Sequence, residues 1–204
     1  MIELIDVCLH RGEFRLPKTT LTIPSATCGV ITGAAGAGKT SVVEAICGLQ
    51  MISSGTLRLR GKDSSQIAAA DRGIGYLPQD VVLFPEMNVE ANISFALKAR
   101  GWTKAQMLQR TQELAQELEL TNLLKRKPHQ LSGGQQKRAA MARAVAFKPD
   151  IVCLDEPFVS LDDHSRTLIR EILKRTLSEQ SATILVVTHQ PQWVGEISEV
   201  EFNV

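Results

Sequence analysis

Three short stretches of this chain carry residue types able to handle a polyphosphate. Gly33-Ala34-Ala35-Gly36-Ala37-Gly38-Lys39-Thr40 matches the pattern G-x-x-x-x-G-K-[ST]. Ile151-Val152-Cys153-Leu154-Asp155-Glu156 is an apolar run that ends in two carboxylates. Between them stands Leu131-Ser132-Gly133-Gly134-Gln135. A glycine loop of this pattern arises by chance in roughly 1% of chains this long, and an LSGGQ pentapeptide is rarer still. All three in one chain, in this order, are not a coincidence.

Dense negative charge demands many donors at close range. Gly36 and Gly38 let the backbone curl so that successive N–H groups converge on one concavity. The helix that follows aims its N-terminus at the same place. Lys39 has the reach for the terminal phosphates, Thr40 offers a hydroxyl to Mg²⁺, and Ser41 adds an inner phosphate contact. Asp155, at the end of a buried strand, suits a Mg²⁺ ligand acting through water. Glu156 beside it is the candidate general base. The bland alternatives are a glycine-rich turn with a surface lysine, and a solvated acidic turn. Four apolar residues running straight into the acids argue against the second.

The elements around these residues fit the chemistry. Alternating β-branched residues predict strands over 2–9, 21–23, 56–60 and 74–77, with a short buried strand over 30–32 directly before the glycine loop. Val43, Ile46 and Leu49 recur at helical spacing over 40–49, with Gly48 at the stop. Strand, glycine loop and helix are the context a phosphate-binding loop requires. From about 85 to 143 the pattern turns helical. Met107, Thr111, Leu114 and Leu118 form one stripe, read as core packing, and Thr103 is a candidate N-cap. Strands over 151–154 and 184–187 flank a helix over 163–177, and a brief helix and one more strand finish the chain. The expected class is α/β: a mostly parallel sheet, an antiparallel N-terminal edge and an inserted helical subdomain. The expected division is a core of 1–84 and 144–204 with a helical subdomain over 85–143.

Composition narrows the function. A chain of 204 residues with 44% hydrophobic content allows one domain with a sizeable insertion. Net charge +1 gives no electrostatic footprint for nucleic acid or anionic lipid. Lys125-Arg126-Lys127, short and free of aromatics, reads as a solvated turn. The four cysteines, Cys8, Cys28, Cys47 and Cys153, form no CxxC pair and fit a reducing cytoplasm, Cys47 and Cys153 as small core residues. Acids at Glu3 and Asp6 argue against a signal peptide, and no run approaches the ~20 apolar residues that span a bilayer.

With the three motifs in this order, the chain resembles the ATP-binding subunit of an ATP-binding-cassette (ABC) transporter, over roughly residues 3–189. The resemblance implies a P-loop NTPase that binds and hydrolyses ATP with Mg²⁺. It implies that Gln79, in Leu77-Pro78-Gln79-Asp80, touches the metal and the attacking water, and that His189, after Val186-Val187-Thr188, touches the γ-phosphate. It further implies that Ser132, Gly133, Gly134 and Gln135 form a second anion-binding helix start, with the helix beginning beyond Gln135, that covers ATP held by another subunit. Ser160-Leu161-Asp162 resembles the loop that runs along that contact, so Asp162 joins the candidate nucleotide contacts. Two ATP molecules would lie between two head-to-tail subunits of a homodimer.

Other implications follow from local context. Family members stack adenine on an aromatic before the glycine loop. Here Arg11 falls at that position and Phe14 follows, so either can serve, and Phe14 can equally be a core residue. The stretches Arg72–Asp80, Leu83-Phe84-Pro85 and Lys127–Leu131 look most like importers in the molybdate, sulfate, polyamine and iron branch. That implies a separate transmembrane permease, an extracytoplasmic solute-binding protein as a further expected partner, and a place on the cytoplasmic face of the membrane. Val82, Leu83, Phe84 and Pro85 either line a groove for a permease helix or, for Leu83 and Phe84, are buried. The accessory C-terminal domain of several importer ATPases is expected to be absent. The rivals are a soluble ABC ATPase acting on DNA or ribosomes and a nucleotide kinase. The first usually has coiled coils or paired cassettes, and the second has no use for LSGGQ.

Overall fold

The computed structural model describes every residue except Glu13, Glu196 and Val204, and, for Arg11, the backbone alone. Nine strands and five α-helices are described, with short 3₁₀ turns between them. The strands form two sheets. β1 (Ile2–Arg11), β2 (Phe14–Ile23), β4 (Ser54–Leu59) and the two-residue β5 (Lys62–Asp63) make an antiparallel sheet in the order β2-β1-β4-β5. β3 (Cys28–Thr32), β6 (Ile74–Leu77), β7 (Ile151–Asp155), β8 (Thr183–Val187) and β9 (Val200–Asn203) make a parallel sheet in the order β6-β7-β8-β3-β9. The expected α/β class holds, with one refinement. The antiparallel strands form a sheet of their own instead of an edge on the parallel one.

Parallel strands buried on both faces should read as continuous apolar runs, and β7 and β8 do. Alternation then sends neighbours to opposite cores. Ile151, Cys153, Leu185 and Val187 join a core that includes Leu4 and Leu57 of the antiparallel sheet and Val42, Val43 and Ile46 of α1 (Lys39–Cys47). Val152, Leu154, Ile184 and Val186 face the other way. They meet α2 (Val89–Ala99), α3 (Lys104–Glu117), α4 (Gly133–Val145) and α5 (Asp163–Gln180) in a second core.

The helix signals are borne out locally. Thr103 caps α3 in a full capping box with Gln106, and Thr111, Leu114 and Leu118 are buried, with Met107 packed beside them. Gly48, at φ 80°, ends α1 two residues earlier than the periodicity alone predicts. Cys47 and Cys153 are buried in the core as expected, and a hydrogen bond with Cys47, together with burial, holds the Cys153 thiol well above the ordinary range. Lys125 and Lys127 form exposed ion pairs with Glu90 and Glu86.

Register prepares the site. Ile31, Val187 and Asp155 stand at one level of the parallel sheet, and Leu77 pairs with Leu154 one level below. The segments after β3, β6, β7 and β8 therefore leave the same edge side by side. That edge, the carboxyl ends of parallel strands, is where open α/β sheets hold ligands.

Candidate functional site

A cavity of about 520 Å³ opens at this edge, within the range of small-molecule sites. It is lined by Phe14, Gly33, Ala35, Gly36, Gly38, Lys39, Thr40, Ser41, Gln79, Asp155, Glu156 and His189. Residues far apart in sequence, Gln79, Asp155, Glu156, His189 and the glycine loop, are thus brought together.

The glycine loop works through backbone shape. Gly36 has φ 79° with open space where a Cβ would stand, so a ligand can approach the main chain there. Gly38 has φ 100°, and a Cβ on it would lie 2.6 Å from Phe14 Cζ. Gly38 is also the N-cap of α1 and supplies no side-chain cap. The first N–H groups of α1 are left for an acceptor from outside. Lys39 Nζ donates to the carbonyls of Gly33 (2.9 Å) and Ala34 (2.8 Å), which draws the loop into a ring. Ala34 and Ala37 close that ring through the Ala37 N–H to Ala34 O bond.

Behind the loop lie the two acids. Asp155 is 1% exposed. Its Oδ2 accepts the Thr40 hydroxyl at 2.7 Å, while its Oδ1 is buried with no partner. Burial pushes its pKa up, with the charges of Glu156 and Glu44 adding to the rise and the Thr40 bond and Lys39 opposing it. An orphaned carboxylate oxygen beside a hydroxyl, with Gln79 on the same cavity wall, is a donor set that fits a hard divalent cation.

Glu156 is held on all sides. It is 7% exposed, and its N–H donates to Val187 O at 2.8 Å. The Thr188 hydroxyl donates to Oε2 at 3.1 Å, and the His189 N–H donates to Oε1 at 3.1 Å. His189 Nδ1 lies 2.8 Å from the same Oε1, so with an ionised Glu156 the imidazole carries its proton on Nδ1. The backbone of Glu156 has φ 49°. Such strain in a non-glycine residue costs about 1–3 kcal/mol and persists only where surroundings enforce it. One enforcer is Lys137, whose ammonium donates to Glu156 O at 2.6 Å and Val159 O at 3.3 Å. Burial lowers the Lys137 pKa, with Glu156 and Asp155 opposing.

The pentapeptide lies elsewhere. None of Ser132, Gly133, Gly134 and Gln135 lines the cavity. The helix does not begin beyond Gln135, as expected from sequence. It begins at Gly133, because S-x-x-Q closes a capping box. Ser132 Oγ accepts the Gln135 N–H at 3.3 Å, and Gln135 Oε1 accepts the Ser132 N–H at 3.0 Å. Asp162 also lies outside the cavity and caps α5, accepting the Ser165 N–H at 2.6 Å. Phe14 touches both of its expected settings, lining the cavity and packing on the core. The rival Arg11 side chain lies outside the described residues.

Leu83 is buried, whereas Val82 and Phe84 are exposed. The Phe84 ring sits 4.6 Å from that of Phe95, with the Arg143 guanidinium over it. Sequence reasoning missed Thr188 and Lys137. The hydroxyl before His189 was a weak signal, and the lysine on an otherwise ordinary helix was none.

Comparison with known proteins places these features in context. A family model described as ABC transporter matches residues 16–159. The molybdate/tungstate import ATP-binding protein WtpC of Thermococcus kodakarensis is 41% identical over 177 residues, which cover 87% of this chain and 54% of that protein. The sulfate/thiosulfate import ATP-binding protein CysA of Synechococcus elongatus is 36% identical over 199 residues, covering 97% and 58%. The chain thus spans about half the length of the curated relatives it matches. A dimeric structure of the ATP-binding cassette MJ0796, in a post-hydrolysis state bound to ADP and Pi, matches with a TM-score of 0.91 at 26% identity. That match covers 100% of this chain and 94% of the other.

Proposed function

The chain belongs to the ABC transporter family, and from that premise we propose that it binds and hydrolyses ATP to drive solute uptake through a separate membrane permease. The observation that carries the reading is the cavity, which joins the glycine loop, Gln79, Asp155, Glu156 and His189 but excludes Ser132–Gln135. In this reading each chain supplies half of a site, and Ser132–Gln135, which lie outside the cavity, supply the other half to a second copy.

In this reading the loop N–H groups of Gly33–Thr40 and the start of α1 bind the phosphates, Lys39 turns from its carbonyls to the terminal phosphates, and Ser41 contacts the inner one. Phe14 packs against the base. Thr40, Asp155 and Gln79 would hold Mg²⁺, which neutralises charge on the terminal phosphates when bound. Glu156 accepts a proton from the attacking water as the γ-phosphate leaves ADP, and His189 contacts that phosphate. Ser132, Gly133, Gly134 and Gln135 cover the ATP of a second copy, with Asp162 along the contact, so the working unit is a homodimer.

The division into a core of 1–84 and 144–204 and a helical subdomain of 85–143 belongs to the same proposal. The exposed pair Phe84 and Phe95, with Val82, suits a helix of the permease. Among the described residues no helix is long and apolar enough to cross a membrane. The chain would then sit on the cytoplasmic face, held there by the permease. The named relatives serve molybdate, tungstate and sulfate import, which favours an oxyanion importer, working with an extracytoplasmic solute-binding protein, over a DNA- or ribosome-directed ATPase.

The test mixes two inactive chains, Lys39→Ala and Ser132→Arg. Heterodimers concentrate both lesions in one composite site and leave the other intact, so ATPase activity should return above either variant alone. Silence, with heterodimers shown to form, would defeat the two-chain site. Co-purification of a multi-helix membrane protein with the chain tests the transport assignment.

A further inference from the structure

Lys137 has no role in the reading above, yet it occupies an unfavourable place for an ammonium. It lies in the second turn of α4 and is 5% exposed. Both hydrogen-bond acceptors are neutral carbonyls, Glu156 O at 2.6 Å and Val159 O at 3.3 Å. Burial is costly for this charge, the nearby Glu156 and Asp155 carboxylates offset only part of that cost, and an apolar side chain of similar length would fill the same space without it. Packing alone therefore does not explain a lysine here.

Its two acceptors bracket a tight turn in which the Val159 N–H also reaches Glu156 O at 3.4 Å. At either end of that turn stands a non-glycine residue in the left-handed region, Glu156 at φ 49° and Ser160 at φ 61°. The ammonium thus grips the turn between its two strained points. From the other direction, Lys137 is fixed to the helix whose N-terminus is Ser132. One rigid helix therefore has Ser132 at its start and the backbone of Glu156 on its flank.

We propose that Lys137 is a positioning residue that couples the start of α4 to the Glu156 turn. Contact of Ser132 and Gly134 with the partner's ATP then alters the placement of the Glu156 carboxylate in this chain's own cavity. This rests on the reading in which Glu156 is the base and Ser132 serves the other copy. Each chain would carry a link from one composite site to the other, and Lys137 is the link.

The test compares Lys137→Met, which keeps the stem and loses the donors, with Lys137→Arg, which keeps charge and donors. With Mg²⁺–ATP, wild-type hydrolysis should be cooperative, with a Hill coefficient approaching about 2 for two coupled sites. Lys137→Met should melt no lower than wild type, bind ATP as a monomer within about twofold, lose about tenfold in kcat, and drop to a Hill coefficient near 1. Lys137→Arg should recover most of both losses. Wild-type kcat and cooperativity in Lys137→Met would overturn the proposal. So would equal losses in both variants accompanied by equal drops in melting temperature, which mark a filler. Should Lys137→Met not fold, Lys137→Gln carries the same test. Intermediate kcat and cooperativity support the link, and wild-type values overturn it. A wild-type chain that hydrolyses no ATP overturns the parent reading instead.

Discussion

Two helices, α1 and α4, begin at glycine-rich segments, and their first turns are finished in opposite ways. α1 starts from Gly38, at φ 100°, with no side chain to meet its free N–H groups. α4 starts from Ser132, whose hydroxyl and Gln135 satisfy each other in a capping box. Neither has an acid in its first turn, so both welcome an anion. The difference lies in when the anion is needed. α1 leaves its first N–H groups to an acceptor from outside the helix, which the proposed function identifies with a polyphosphate. α4 is stable as it stands, so its anion can arrive later and from another molecule. On the proposed reading, the open start of α1 serves a ligand and the capped start of α4 serves a partner.

The largest effect should fall on the chemistry beside α1. Glu156→Gln keeps shape and removes the base, so turnover should fall ~10²–10⁴-fold while ATP still binds. Size-exclusion chromatography should then show an ATP-dependent dimer. A variant that stays monomeric with ATP bound would break the assignment of α4 to a partner.

Next comes binding at α1 itself. Lys39→Ala should weaken ATP about 10–100-fold, the worth of a hydrogen bond to a charged group, whereas Ser132→Ala should leave the monomer's affinity unchanged. Equal losses in fluorescence titrations would erase the contrast between the two helix starts.

Asp155 sharpens the picture of an unfinished site through pH. Its folded pKa is raised by burial, so its contribution to stability is present below the ordinary carboxylate range and is lost as pH rises through the raised value. Asp155→Asn should therefore raise the ligand-free melting temperature near neutral pH and flatten its acidic limb. The variant should also lose the extra stability that Mg²⁺ adds to ATP. A lower neutral melting point with the pH profile intact would contradict this.

Smaller still are two local tests. Phe14→Ala should raise the ATP dissociation constant a few-fold with little unfolding, since the ring lines the cavity and is only partly buried. A drop in stability near the ~3–5 kcal/mol of a fully buried phenylalanine, with affinity unchanged, would make it a core residue. Ser132→Ala should cost about 1 kcal/mol through the lost cap, or about 2–4 °C in melting temperature. No shift at all would mean the capping box contributes nothing to α4.

Much of this was legible in the residues. The loop from Gly33 to Thr40, the run into Asp155 and Glu156, and the strand–loop–helix context are local facts, fixed by backbone sterics and by apolar periodicity. Local pattern also predicted the Thr103 cap and the Gly48 stop, both present. It failed at Gln135, where the helix was expected to start only after the pentapeptide and the capping box of Ser132 and Gln135 was not read.

What only tertiary structure decided are relations between distant segments. The parallel register sets Asp155 and Val187 at one level, and that alone brings His189 onto Glu156. The antiparallel strands form a separate sheet that shares one core with α1 and one face of the parallel sheet, a long-range arrangement no single segment contains. Lys137 reads from sequence as one more surface lysine on a helix, and only packing buries it against the turn at Glu156. Sequence spacing specifies which atoms can do chemistry, because side-chain type and local φ/ψ are short-range properties. Which of them meet, and at what distance, depends on long-range packing that no single segment contains.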